Sequence, residues 1–353
     1  MSRGGIDFKM GTALRRKFNW EGVTDEELLG LRLSDLPVRI EGTPLEERVR
    51  RLHFELDESG LRFRPHVWLS EEWFTPDGVP GFAIPFYLAH PRLMKLERRQ
   101  MLEVEGGTER ECLRIMRHEA GHAIDNAFLF SARPKWRRLF GRNNSPYPDF
   151  YQPDPTSRDY VLHLGAWYAQ AHPAEDFAET FAIWLATYES RWRKRYAGWA
   201  ALDKLEYVDR LMREVAGRAP RNRRRDRIDE LSELRMTLAE HYRRKREHYS
   251  IVWPDDFDRD LLRVFPAGSR GAGVQTAASF LRRWGRDLVH AVARGTGLHH
   301  YTLAQLHAKA VERCKLLRLR VAGSEAEALS GALVLLTVQA MKVVHMGYHR
   351  IPL

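Results

Sequence analysis

The chain has 353 residues, 44% of them hydrophobic, with ten tryptophans, two cysteines and a formal net charge of +10. That length suits two domains, or one large domain with extensions, and the apolar content is ample for a core. Cys112 and Cys314 are far apart and do not suggest a disulfide framework, the opening Met1-Ser2-Arg3-Gly4-Gly5 does not resemble a signal peptide, and the apolar stretch Ala328 to Val344 is broken by Ser330, Gln339 and Lys342 and short for a bilayer. A reducing cytoplasm, with no membrane partner, is therefore the expected compartment.

Residues 1–60 are polar and mixed, with a short helix expected from Thr24 to Leu31. Two strands are expected next, Arg64 to Leu69 and Gly81 to Leu88. Pro85 has no N–H to give a ladder, so the second strand should be an edge strand or an interrupted one. An edge strand there would suit pairing with an extended peptide.

Thr108-Glu109-Arg110-Glu111 is a capping box, and Cys112, Ile115, Met116, Ala120, Ala123, Ile124 and Ala127 recur at helical spacing. A helix is expected from about 109 to 128. Within it lies His118-Glu119-Ala120-Gly121-His122, an H-E-x-x-H motif. Residues four apart share a helix face, so both imidazoles can reach one metal ion, and Glu119 can act as general base on a metal-bound water. Two buried core histidines are the plain alternative.

An acidic partner is available downstream. In Tyr168-Ala-Gln-Ala-His172-Pro173-Ala174-Glu175-Asp176-Phe177-Ala178-Glu179-Thr180-Phe181, Pro173 suits the first turn of a second helix. Glu175 and Asp176 fall where the helix dipole favours negative charge. Glu175 and Glu179 share a face, and Phe177, Phe181, Trp184, Leu185 and Tyr188 fill a neighbouring one. Two like charges at that spacing repel, and a cation or an imidazole N–H between them would relieve the repulsion. Two His and one Glu with an open fourth position is the ligand set of hydrolytic zinc sites. His172 is the rival third ligand, although the adjacent proline suits it to capping.

The pair H-E-x-G-H-x-x-D and Y-A-x-x-H-P-x-E-D-F-A-E-T-F-A resembles a bacterial family of zinc-binding metallopeptidases of the gluzincin type. It is more distantly similar to the protease domain of anthrax lethal factor. The likeness is carried by Arg117 to Asp125 and Trp167 to Trp184, and extends more weakly over residues 60–215. It implies an α+β, zincin-like catalytic domain with a small sheet and active-site helices, a Zn2+ cofactor and a peptide or protein substrate. It makes His118, His122 and Glu175 the ligands, Glu119 the general base, and Glu179 a carboxylate orienting a ligating imidazole. Tyr168 would steady the oxyanion, or else be a packed aromatic beside Trp167. Asp125 would support a ligand or cap the helix end.

Four parts are therefore expected: residues 1–60 as an N-terminal extension of the catalytic domain, 61–215 as the metallopeptidase domain, 216–228 as a basic linker, and 229–353 as a helical domain. The irregular stretch from Asn143 to Ser157 is a candidate rim of the cleft. Arg218 to Arg227 reads as a solvated linker or helix start. It lacks interleaved aromatics and any nucleic-acid-binding motif, which weighs against nucleic acid. Capping boxes at Thr302–Gln305 and Ser324–Glu327 open helices of a small bundle. His299, His300 and His307 have no acidic partner at ligand spacing. A zinc metallopeptidase is the reading adopted. A zinc-stabilised scaffold and a basic nucleic-acid-associated protein are its alternatives.

Overall fold

The computed structural model describes residues 20–148, 151–187, 189–250, 257–267 and 275–345. Met1 to Gly5 and Tyr188, both used in the sequence reading, lie outside that set. The described chain is mostly helical, with a small parallel sheet.

A capping box at Thr24 opens α1 (Asp25–Leu29). Thr43 caps α2 (Pro44–Glu58), whose Leu45, Val49, Leu52 and Leu56 form one buried stripe. Strands β1 (His66–Ser70) and β2 (Gly81–Pro85) pair in parallel, His66 opposite Gly81 through Ser70 opposite Pro85. The second strand ends at Pro85 rather than Leu88, because Phe86–Ala89 turn into a 3-10 helix. No free edge is left for an extended peptide at its centre. All five residues of β2 are buried, and the Ala83 amide donates to the Phe74 carbonyl at 2.8 Å.

α3 (Pro91–Met101) leads to α4 (Glu109–Phe128), which starts on the Thr108–Glu111 capping box. After α5 (Pro134–Phe140) comes α6 (Pro173–Ala186), with His172 as N-cap and Pro173 in its first turn. α6 lies directly on α4. A Cβ built on Gly121 would sit 2.7 Å from Ala178 Cα and 3.0 Å from its carbonyl oxygen. Only a glycine lets the two backbones approach this closely.

α7 (Glu189–Arg195) and α8 (Ala201–Val215) complete this half. The arginine run that follows is non-helical and lies along the body. The Arg221 and Asn222 amides both donate to the Ala127 carbonyl at 3.0 Å. Trp68 Nε1 donates to the Ile228 carbonyl at 2.9 Å and Ser70 Oγ to that of Asp229 at 2.7 Å. α9 (Leu238–His248) opens on a further capping box, Thr237 with Glu240. Although it was expected within the helical part from 229, α9 packs into the first core through Leu238 and Tyr242. Its buried Lys245 is held between Glu72 at 3.0 Å and Glu97 at 3.1 Å.

A second apolar cluster is built by α10 (Phe257–Val264), α11 (Ala277–Thr296), α12 (His300–Leu316) and α13 (Glu325–His345). The Ser324–Glu327 box holds. Thr302 does not begin a helix, because α12 starts two residues earlier. There His299 Nδ1 accepts from the Tyr301 amide at 3.0 Å. α13 has 21 residues, more than the apolar stretch expected, and is long and apolar enough to cross a membrane by length and composition. In the fold it is a bundle helix. Its fully buried Gln339 and its Lys342 both donate to Asp260, at 2.7 and 2.6 Å.

The α4–α6 contact gives the first prediction. Gly121→Ala should gain about 1 kcal/mol of helix propensity, yet overpacking against the Ala178 backbone costs about 1–3 kcal/mol. A lowered melting temperature by circular dichroism is expected. An unchanged or raised one would show that the helices can separate without penalty.

Candidate metal centre

The site is built on the facing sides of α4 and α6. His118 and His122 are one turn apart on α4, and Glu175 stands in the first turn of α6. His118 Nε2 lies 2.9 Å from Glu175 Oε2, His122 Nε2 lies 3.2 Å from the same oxygen, and the two nitrogens are 3.1 Å apart. This triangle fits an ion about 2.0–2.2 Å from each atom, as zinc takes with nitrogen and carboxylate oxygen. His118, His122 and Glu175 are also the one group of three or more such residues, among those described, whose donor atoms converge to within 4.8 Å.

The surrounding hydrogen bonds fix these donors. His118 Nδ1 is 2.9 Å from Glu179 Oε1. With the proton on Nδ1, the lone pair of Nε2 is left for a cation. The other oxygen of Glu179 accepts from the Leu164 amide at 2.7 Å. Glu175 Oε1 accepts from the Tyr147 hydroxyl at 2.8 Å. Burial opposes charge on His118, but its bonds to Glu175 and Glu179 outweigh this and raise its pKa well above the ordinary value. Burial likewise works against ionised Glu175, but His122 and His118 win and hold its carboxyl well below the usual range. Two buried carboxylates thus converge on a place that favours positive charge.

Glu119 is buried beside the histidines, and Thr75 Oγ1 donates to its Oε2 at 2.8 Å. Burial raises its pKa, which suits a proton acceptor more than a permanent anion. The Tyr168 ring lies 5.5 Å from that of His118. Ala166 and Trp167, just before it, both hold left-handed backbone, with φ of 56° and 54°. Such conformations are costly for residues with a Cβ. They are held here by Tyr151, whose hydroxyl donates to the Ala166 carbonyl at 2.7 Å.

Two candidates lie outside the triangle. His172 caps α6, with Nδ1 accepting from the Ala174 amide at 3.2 Å and Nε2 facing the Ser145 carbonyl at 3.0 Å. Asp125 accepts from the Ser131 amide at 2.8 Å and makes no hydrogen bond to either histidine among the described residues. It closes the turn after α4 rather than orienting a ligand. Thr75 and Tyr147 escaped the sequence reading. Tyr147 lies in the stretch marked as a cleft rim, and its ring stacks on His172 with centroids 3.9 Å apart.

Two imidazoles and a carboxylate converging on one point form the donor set of a mononuclear zinc protein. Residues 92–214 match the model of the family described as "putative zinc-binding metallo-peptidase". No curated protein and no solved structure matches the chain. The likeness to lethal factor therefore rests on the two motifs alone.

Glu179 gives the second prediction. Removing a carboxylate that orients a metal-bound histidine weakens metal affinity about 10–100-fold. Glu179→Ala is expected to show that loss in competition with a zinc chelator. Unaltered affinity would leave Glu179 only a packing role.

Proposed function

We propose that the protein is a gluzincin-type, zinc-dependent peptidase acting on peptide or protein substrates. His118, His122 and Glu175 would hold the metal, and the body around them would be a zincin-like catalytic domain with the helical bundle appended. The convergence of those three donors beside a buried glutamate is the observation that carries this reading. Zinc, when bound, would lower the pKa of water and polarise a carbonyl.

The chain's own groups supply the rest. Glu119 accepts the proton of the attacking water and hands it to the leaving amine. Thr75 fixes the carboxylate that does so. The Tyr168 hydroxyl donates to the oxygen on which negative charge develops. Tyr147 and Glu179 keep the ligand atoms aimed.

One zinc per chain in the wild type, lost in Glu175→Ala, is expected from metal analysis. Glu119→Gln should keep its zinc and lose peptide hydrolysis. Zinc retained in Glu175→Ala would remove that residue from the ligand set, and activity retained in Glu119→Gln would remove the general base. Tyr168→Phe should lower kcat about 100–1,000-fold, as for loss of one oxyanion donor, with KM little changed; an unaltered kcat would make Tyr168 a packing residue.

A pH dependence follows from Glu119. A base works deprotonated, and burial raises the pH at which Glu119 loses its proton. The acid limb of kcat/KM should accordingly report Glu119, with activity falling as pH drops through it. Thr75→Val removes a hydrogen bond to the ionised form, so the limb should move to higher pH. A limb that stays in place would exclude Glu119 as the titrating group.

A further inference from the structure

The metal triangle opens on one side into a cavity of about 800 Å³. His118, Glu119 and Tyr168 line its inner end. Its opposite wall comes from the bundle, where the end of α11 and the turn into α12 supply Arg294, Gly297 and their neighbours. The two walls are in direct contact. A Cβ on Gly297 would lie 3.3 Å from the Ala166 backbone nitrogen, in the strained segment leading to Tyr168. The bundle is therefore part of the cleft.

The charges in this cavity are unequally satisfied. Glu103 is held by His299, at 2.7 Å, and by His300. Glu111 folds back onto the Thr108 amide in the capping box. Glu105 is pushed up to about 8 by burial, so it is mostly protonated at neutral pH. Three guanidinium groups remain. Arg98 is exposed on α3, Arg114, half-buried, lies one turn before His118 on α4, and Arg294 is exposed on the bundle wall. None has a carboxylate within ion-pair distance among the described residues; of the three, Arg114 alone is half-buried and Arg294 alone comes from the bundle. A half-buried guanidinium lining a cavity is an anion site awaiting its partner, because arginine stays charged and offers a planar fork to a carboxylate.

We propose that the substrate peptide lies in this cavity between the two halves, and that Arg114 and Arg294 hold a carboxylate it carries, either an acidic side chain or the free C-terminus. This rests on the peptidase reading and adds its substrate class and the bundle's role.

The test is equilibrium binding, by fluorescence anisotropy, of labelled alanine-based peptides to zinc-loaded protein carrying Glu119→Gln. One series is amidated, with a single Glu or Gln at successive positions. The other is all-neutral, as free acid and as amide. A carboxylate in the right place should tighten binding about tenfold over its neutral counterpart, the worth of one charge-assisted hydrogen bond. The series in which the gain appears tells side chain from C-terminus. The gain should vanish in Arg114→Gln and shrink in Arg294→Gln, whose exposed position leaves the fold intact. Equal binding of charged and neutral peptides, a preference that survives both arginine variants, or no binding at all would overturn the proposal. Failure of the peptidase reading shows separately, as peptides left intact by zinc-loaded wild-type protein, and does not alter the binding comparison.

Discussion

The contact of α4 with α6 at Gly121 and Ala178 sets the geometry on which the site depends. Each helix carries half of the donor set, and the two halves meet only because the backbones approach to a distance that excludes any side chain at 121. Interiors are packed closely enough that a small increase in helix separation is not absorbed. It would open the triangle of His118, His122 and Glu175. The glycine in His118-Glu119-Ala120-Gly121-His122 is thus a requirement of packing, while the two histidines supply donor atoms to the triangle.

Around that contact the fold buries more negative charge than a core normally holds. Glu119, Glu175, Asp176 and Glu179 are all at most 6% exposed. Each has a partner in the fold. Asp176 takes the Lys204 ammonium at 2.6 Å, Glu179 the His118 ring, and Glu119 the Thr75 hydroxyl. Glu175 faces both histidines, and one positive centre among them would satisfy all three. Such a constellation is costly to fold without a cation.

What could be read from the sequence followed the range of the interactions. α4 was legible almost to the residue and α6 at its start, because a capping box, an N-terminal proline and helical periodicity all act within a few positions. The two histidines that converge with Glu175 were legible because i, i+4 spacing fixes a helix face. Thr75, Tyr147 and the clasp of Glu103 by His299 and His300 were not, since each joins distant segments of chain and obeys no period. The same is true of the arginine run. Its composition suggested a linker, but its backbone amides, which no composition describes, bind it to Ala127. At Thr302 a short-range motif misled, because His299 had already supplied the cap.

The docking of residues 221–222 on the Ala127 carbonyl bears on what counts as one folding unit. The family match spans residues 92–214 and contains both metal motifs. Yet the threonine that holds Glu119 lies before that segment, and the irregular segment whose amides bond the Ala127 carbonyl near the C-terminal end of α4 lies after it. A fragment cut to the matched residues would carry every proposed ligand and still lack the pieces that hold them in register. The unit of recognition in this chain is therefore smaller than the unit of stability, and of the residues outside the match that brace the site, Arg221 contributes its backbone amide, whereas Thr75 contributes a hydroxyl and Asn222 a carboxamide that other side chains would not supply.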